Sequence, residues 1–107
     1  MSGSLGDMGN LLKQAQTMQR ELDRVREELR GATVEGTAGG GAVRVVISGD
    51  RRVQSMEIAQ EVVDSGDKAA LEDLVCAALR DGMDRAQKLA EESLGQVTGG
   101  IQLPGLF

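Results

Sequence analysis

The sequence predicts an α+β fold: a small three-stranded antiparallel sheet flanked by two long helices, in the order helix-strand-strand-strand-helix. Three observations carry this reading. Met8, Leu11, Ala15, Met18, Leu22, Val25 and Leu29 recur at alternating intervals of three and four, which on a helix makes one narrow apolar seam. Residues 33–58 hold short β-branched runs separated by glycine-containing breaks, as hairpin strands do. Residues 67–95 then return to helical spacing with a broader apolar face.

The first helix is expected from about Met8 to Arg30, with Gly31 placed as its C-terminal cap. At 1.5 Å per residue such a rod is about 35 Å long, longer than a domain of this size is wide. Its outer part must overhang, and the simplest cover for the overhanging seam is the same helix, or another surface, of a second copy. The seam residues Met8, Leu11, Ala15, Met18, Leu22, Val25 and Leu29 are therefore expected at a homodimer interface. Composition points the same way. Among 107 residues the one aromatic is Phe107, so the core is built from aliphatic side chains and is thin, which favours oligomerisation.

The first strand is expected at Thr33 to Thr37, followed by a turn at Gly39, Gly40 and Gly41. The second runs from Ala42 to Ser48, with Val43, Val45 and Ile47 on one face and Arg44, Val46 and Ser48 on the other. Gly49-Asp50 reads as a tight turn with glycine first. The third strand runs from about Arg52 to Ile58. Val53 and Met56 have opposite parity there, and a bulge near Gln54 or Ser55 would reconcile them. Residues 59–66 read as a connection. Ser65 or Asp67 is expected to cap the second long helix, which ends near Leu94 or Gly95. Its face is Leu71, Leu74, Val75, Ala78, Gly82, Ala86 and Leu89, widened by Leu79, Met83 and Ala90. The ends, 1–7 and 96–107, are expected to be flexible.

Composition narrows the chemistry. The formal charge is −5, but residues 1–30 hold five bases and five acids, while residues 61–107 hold four bases and nine acids. The acidic total argues mildly against nucleic acid as a partner, and the balanced first helix weakens that argument. Histidine is absent, which removes the usual general base and the commonest metal ligand. Cys76 is the sole cysteine, so neither a disulfide within the chain nor a thiolate metal cluster is available. It reads as a small packed residue. The glycines between the first two strands precede a strand rather than a helix, so they are turn residues and not a phosphate cradle. Asp81, Asp84, Glu91 and Glu92 read as solvated acids on a helix. No metal, cofactor, catalytic group or small-molecule substrate is expected. No run approaches membrane-spanning length, so no membrane partner is expected either.

One stripe remains. Lys13, Gln16, Thr17, Arg20 and Arg24 lie on the first helix away from the seam, and no acid occurs from Met8 to Arg20. Lys and Arg on a projecting helix can meet phosphates, while Gln and Thr can hydrogen-bond to them. Taken alone, such a stripe is most often a solvated face. Arg51 and Arg52, at the tip of the second hairpin, are secondary candidates.

The segments LLKQAQTMQREL (11–22), VEGTAGGGAVRVVISGDRRVQSMEI (34–58), LEDLVCAALRDGMDRAQKLAEE (71–92) and GGIQLPG (99–105) occur in this order. Together they resemble the YbaB/EbfC family of bacterial nucleoid-associated proteins, over nearly the whole chain, as a single domain 1–107. The resemblance implies a tweezer-like homodimer that binds double-stranded DNA with its helices as arms, in the cytoplasm and nucleoid, without enzymatic activity. It implies effects on DNA conformation or gene expression and a part in chromosome organisation. With it, Lys13, Gln16, Thr17, Arg20, Arg24, Arg51 and Arg52 become the expected DNA contacts. The alternative from another class is a dimeric adaptor that binds a protein and no DNA.

Overall fold

Strand β2 (Val43–Ser48) lies at the centre of the sheet, between β1 (Thr33–Ala38) and β3 (Val53–Ile58), with both pairings antiparallel. Around this sheet run α1 (Ser2–Gly31), the short α2 (Gln60–Asp64) and α3 (Lys68–Val97). The computed structural model describes residues 2–97. The expected flexible tail therefore lies, from residue 98 on, outside the described residues.

Val43, Val45 and Ile47 are fully buried on one face of β2, as their alternation predicts. Each contributes about 2 kcal/mol by leaving water. Register places Val34, Gly36 and Ala38 beside them on β1, and Ile58, Met56 and Val53 on β3. Val46 pairs with Ser55 but Ile47 pairs with Val53, so Gln54 is the extra residue of a bulge. The bulge restores Val53 and Met56 to one face, as their parity requires.

Helix α3 crosses this face over β1 and β2. Its contact stripe is Ala78, Gly82 and Ala86, small and buried, with Leu74, Val75, Leu79 and Met83 packed at the sides. Small residues four apart let the helix backbone approach the sheet closely. The closest approach is at Gly36, where an added Cβ would collide with the Ala78 carbonyl oxygen and the Gly82 backbone.

Several local expectations are corrected. Helix α1 starts at Ser2 and not near Met8. It includes Gly31, and the Ala32 N–H still bonds the Glu28 carbonyl at 3.0 Å. Gly31 does not take a left-handed conformation; entry into β1, not a glycine cap, ends the helix. The connection 59–66 contains α2. Asp67 caps α3, its Oδ1 accepting the Ala70 N–H at 3.0 Å, and α3 runs on to Val97.

The two turns use glycine differently. Gly39, Gly40 and Gly41 all have positive φ, 63°, 66° and 95°, as the turn reading requires. In the second hairpin the left-handed residue is Arg51, with φ 66°, and not Gly49. Gly49 is needed for space: a Cβ there would lie 2.6 Å from the Leu29 carbonyl oxygen of α1. Ser48 organises this turn, its hydroxyl donating to Asp50 and accepting the Arg52 N–H at 3.0 Å.

Candidate nucleic-acid interface

The seam of α1 divides into two parts. Val25 and Leu29 are 3% and 6% exposed, packed into the chain's own core, and Leu22 is half-buried. Val25 and Leu29 are thus covered within the single chain by the sheet and α3. From Asp7 to Glu21 every side chain of α1 is exposed, a stretch of about 22 Å at the helical rise. The expected overhang exists, and Met8, Leu11, Ala15 and Met18 lie on it uncovered.

Helix α3 runs beside α1 in the opposite direction. Ser93 and Gln96 lie near Val25 and Glu28, and Val97 lies near Thr17 and Met18. The arm is thus two-helical at its base and single-helical at its outer end.

Lys13, Gln16, Thr17, Arg20 and Arg24 occupy an arc of about 100° of α1, almost opposite the seam. All five are exposed. Their charges are not equally available. Arg24 sits between two carboxylates, 2.9 Å from Glu21 and 2.6 Å from Glu28. Hydrogen bonding and charge from Glu21, then from Glu28, hold its guanidinium above the ordinary arginine range. Arg26 and Arg30 are likewise paired, with Asp23 and Glu27 at 3.5 and 2.8 Å. Lys13 and Arg20 have no ion pair among the described residues; Arg20 reaches Thr17 Oγ1 at 3.5 Å. Free positive charge on α1 is therefore concentrated on the outer half. The i,i+3 and i,i+4 acids that neutralise the inner half were available in the sequence.

Arg51 and Arg52 stand apart from this stripe. Their hairpin packs under Leu29 at the base of α1, about 24 Å along the helix from Lys13. Arg52 is 3.4 Å from Asp50. Arg30, which the sequence reading passed over, lines the same recess as Arg52. Only three-dimensional folding brings these two together.

Two side chains differ from their expected roles. Cys76 is exposed, because it lies about 200° around α3 from Ala78 and so faces away from the sheet. Asp81 is not simply solvated. It accepts the Thr37 N–H at 3.0 Å and pairs with Arg85 at 3.2 Å. The Thr37 N–H, chiefly, holds its carboxyl below the usual carboxylate range; burial opposes this, and Arg85 adds to the lowering. No group of three His, Cys, Asp or Glu side chains placed to hold a metal ion occurs among the described residues. No helix there is long and apolar enough to cross a membrane.

Comparison with known proteins agrees with this architecture. The chain is 50% identical over 97 residues to a nucleoid-associated protein of Chloroflexus aurantiacus, covering 91% of this chain and 95% of that one. It is 45% identical over 103 residues to a nucleoid-associated protein of Acetivibrio thermocellus, covering 95% and 91%. The crystal structure of an uncharacterized protein from Helicobacter pylori has the same fold, with a TM-score of 0.72 at 23% identity over 86% of this chain and 94% of that one. The sequence profile of the YbaB/EbfC DNA-binding family matches residues 5–101, and the chain belongs to that family.

Proposed function

We propose that this protein is a non-enzymatic, nucleoid-associated DNA-binding protein that holds duplex DNA as a homodimer, mainly through phosphates. One observation carries the reading: Lys13 and Arg20 project, unpaired among the described residues, from an overhanging helix that has no acid between them. Cations placed this way meet phosphates without first breaking an ion pair. Gln16 and Thr17 add hydrogen-bonding groups on the same face. Arg24 is a weaker contributor, since its contact with DNA would compete with Glu21 and Glu28. Arg51 and Arg52 form a separate, secondary contact near the base of the arm. Family membership and the names of the relatives support DNA and the nucleoid as partner and location.

The homodimer contact is proposed on β3. Val53 and Met56 remain 48% and 37% exposed on the apolar face of the sheet, and β3 is an edge strand. A second copy seated there would extend the core across a two-fold axis and leave both arms projecting.

A gel-shift titration on unrelated duplexes tests the reading. Lys13→Glu with Arg20→Glu is expected to abolish the shift with helicity unchanged, whereas Arg24→Glu alone weakens it only modestly. Two free cations on each of two arms give a log–log salt slope of about −4, at about −0.9 per phosphate. No aromatic ring is available among the described residues to wedge between bases, so preference for any one sequence stays below about a hundredfold, or about 3 kcal/mol. Absence of a shift at every salt concentration would overturn DNA binding and favour a dimeric protein adaptor.

A further inference from the structure

The outer half of α1 carries an apolar strip that nothing among the described residues covers. Met8, Leu11, Leu12 and Met18 are 60%, 63%, 64% and 43% exposed, and Ala15 between them is exposed as well. A Cβ added at neighbouring Gly9 would have nothing within 4 Å. The groove at the end of α3 touches Met18 alone of this strip. The strip spans about 120° of the helix surface, and Lys13 and Arg20 lie on the opposite side.

We propose that this strip seats the same strip of another copy, so that two dimers join through one arm each and bridge two duplexes. The arms pair antiparallel, seam on seam, which turns their cation stripes outward on opposite sides. The contact itself needs no DNA; the bridging rests on the DNA binding proposed above. The seam is self-complementary. Met8, Leu11, Ala15 and Met18 follow at intervals of three, four and three, which read the same in either direction. Two antiparallel copies therefore set Met8 against Met18 and the bulky Leu11 against the small Ala15. A contact of this kind is isologous and closes on itself.

Charge and area set its strength. Gln14 beside the strip is uncharged, and Lys13 and Arg20 stay outside the contact. Asp7 and Glu21 share one flank and approach each other at the two ends of the pair, which weakens it, although Glu21 is already 2.9 Å from Arg24. Four large side chains on each arm, at roughly 100 Å² apiece, bury about 800 Å² in all. That is below the roughly 1,200 Å² of a stable complex. Such arms part in dilute solution and pair where duplex DNA concentrates them. Packed helices lie about 8–10 Å apart, and each presents Lys13 and Arg20 on the side away from its seam. Two phosphate-binding faces thus stand back to back, one for each duplex.

Two measurements on the full chain test this. In the first, a bead-bound duplex and the protein are mixed with a labelled free duplex, and capture of the label is expected. Leu11→Gln with Met18→Gln should abolish capture while circular dichroism and gel-shift affinity stay unchanged, because both side chains are exposed and neither is a proposed DNA contact. Capture that persists in this variant overturns the proposal. The second measurement needs no DNA. Ala15→Cys is placed in a Cys76→Ser chain and treated at high protein concentration with a short bismaleimide. The two Ala15 positions of an antiparallel pair are offset by four residues, about 6 Å along the axis. Linked protein with a native mass at least double that of the untreated protein, by light scattering, is expected. Absence of linkage overturns the proposal, as does linkage at unchanged native mass, which would join the two arms of one dimer. Linkage at doubled mass with no gel shift at any salt concentration would uphold the arm contact and overturn DNA binding instead.

Discussion

The two edges of the sheet share a backbone pattern and differ in almost everything else. Strand β1 is covered by α3, its Gly36 pressed against the helix backbone, and its Thr37 N–H is occupied by Asp81. Strand β3 pairs with β2 on one side and carries Val53 and Met56 half-exposed on the apolar face. An edge strand with free backbone groups and apolar side chains is a template for another chain. The covered edge shows how the fold closes itself, and the open edge shows where it stops doing so. The exposed large apolar residues of the described chain follow this division: one group lies on β3 and α2 (Val53, Met56, Val63) and the other on the arm (Met8, Leu11, Leu12, Met18).

The sharpest way to break the comparison is at Gly36. Gly36→Ala places a methyl group against the Ala78 carbonyl oxygen and the Gly82 backbone, neither of which can swing aside. A loss of about 3 kcal/mol or more is expected, at the upper end for overpacking, and urea denaturation measures it. Gly82→Ala should cost less. Its Cβ would lie 2.6 Å from Ile47 Cδ1, the end of a side chain that can shift, and alanine recovers about 1 kcal/mol of helix propensity.

At the open edge the expected effect is on assembly. Val53→Asp with Met56→Asp should leave circular dichroism nearly unchanged, because neither side chain is buried within the chain. Light scattering should then report monomer for the double variant and, on the proposed contact, dimer for the unaltered protein. A double variant that remains dimeric moves the two-fold contact elsewhere; one that unfolds shows that β3 matters to the single chain.

The smallest effect belongs to Asp81. Its carboxyl is held below the ordinary range by the Thr37 N–H and Arg85, so folding favours the ionised form. The resulting stabilisation is present above the unfolded-state pKa of about 3.9 and is lost as pH falls through the lower, folded-state value. Asp81→Asn should therefore flatten the acid side of the stability–pH profile, by a modest loss of stability at neutral pH and none below the folded-state value, where both proteins carry an uncharged group. Acid unfolding followed by circular dichroism in both proteins tests this. An unaltered acid limb would show that Asp81 does not guard the edge energetically.

Much of this architecture was legible because periodicity is a local property. The seam spacing defined α1 and the strand parities defined the buried face. The mismatch between Val53 and Met56 located the bulge, since one extra residue restores a common face. The cap of α3 was legible as Ser65 or Asp67, and the structure selects Asp67, whose carboxylate accepts the Ala70 N–H. The candidate site was only half legible. Its stripe, Lys13 to Arg24, follows from helical geometry, but which of these cations are free depends on rotamers reaching Glu21 and Glu28.

The sequence by itself determined the element order, the apolar faces and the overhang of α1, because each follows from residue spacing within about thirty positions. Tertiary structure alone decided how that seam is shared. Val25 and Leu29 close the chain's own core, while Met8, Leu11 and Met18 are left outside it, although all five carry the same pattern. It also decided why Gly36, Gly49 and Gly82 are glycine: for space at crossings with distant backbone or side chains and not for backbone angle. The physical reason is the same in each case. Spacing says which side chains share a face, but which face meets another surface depends on elements far apart in the chain, and those distances exist only after folding.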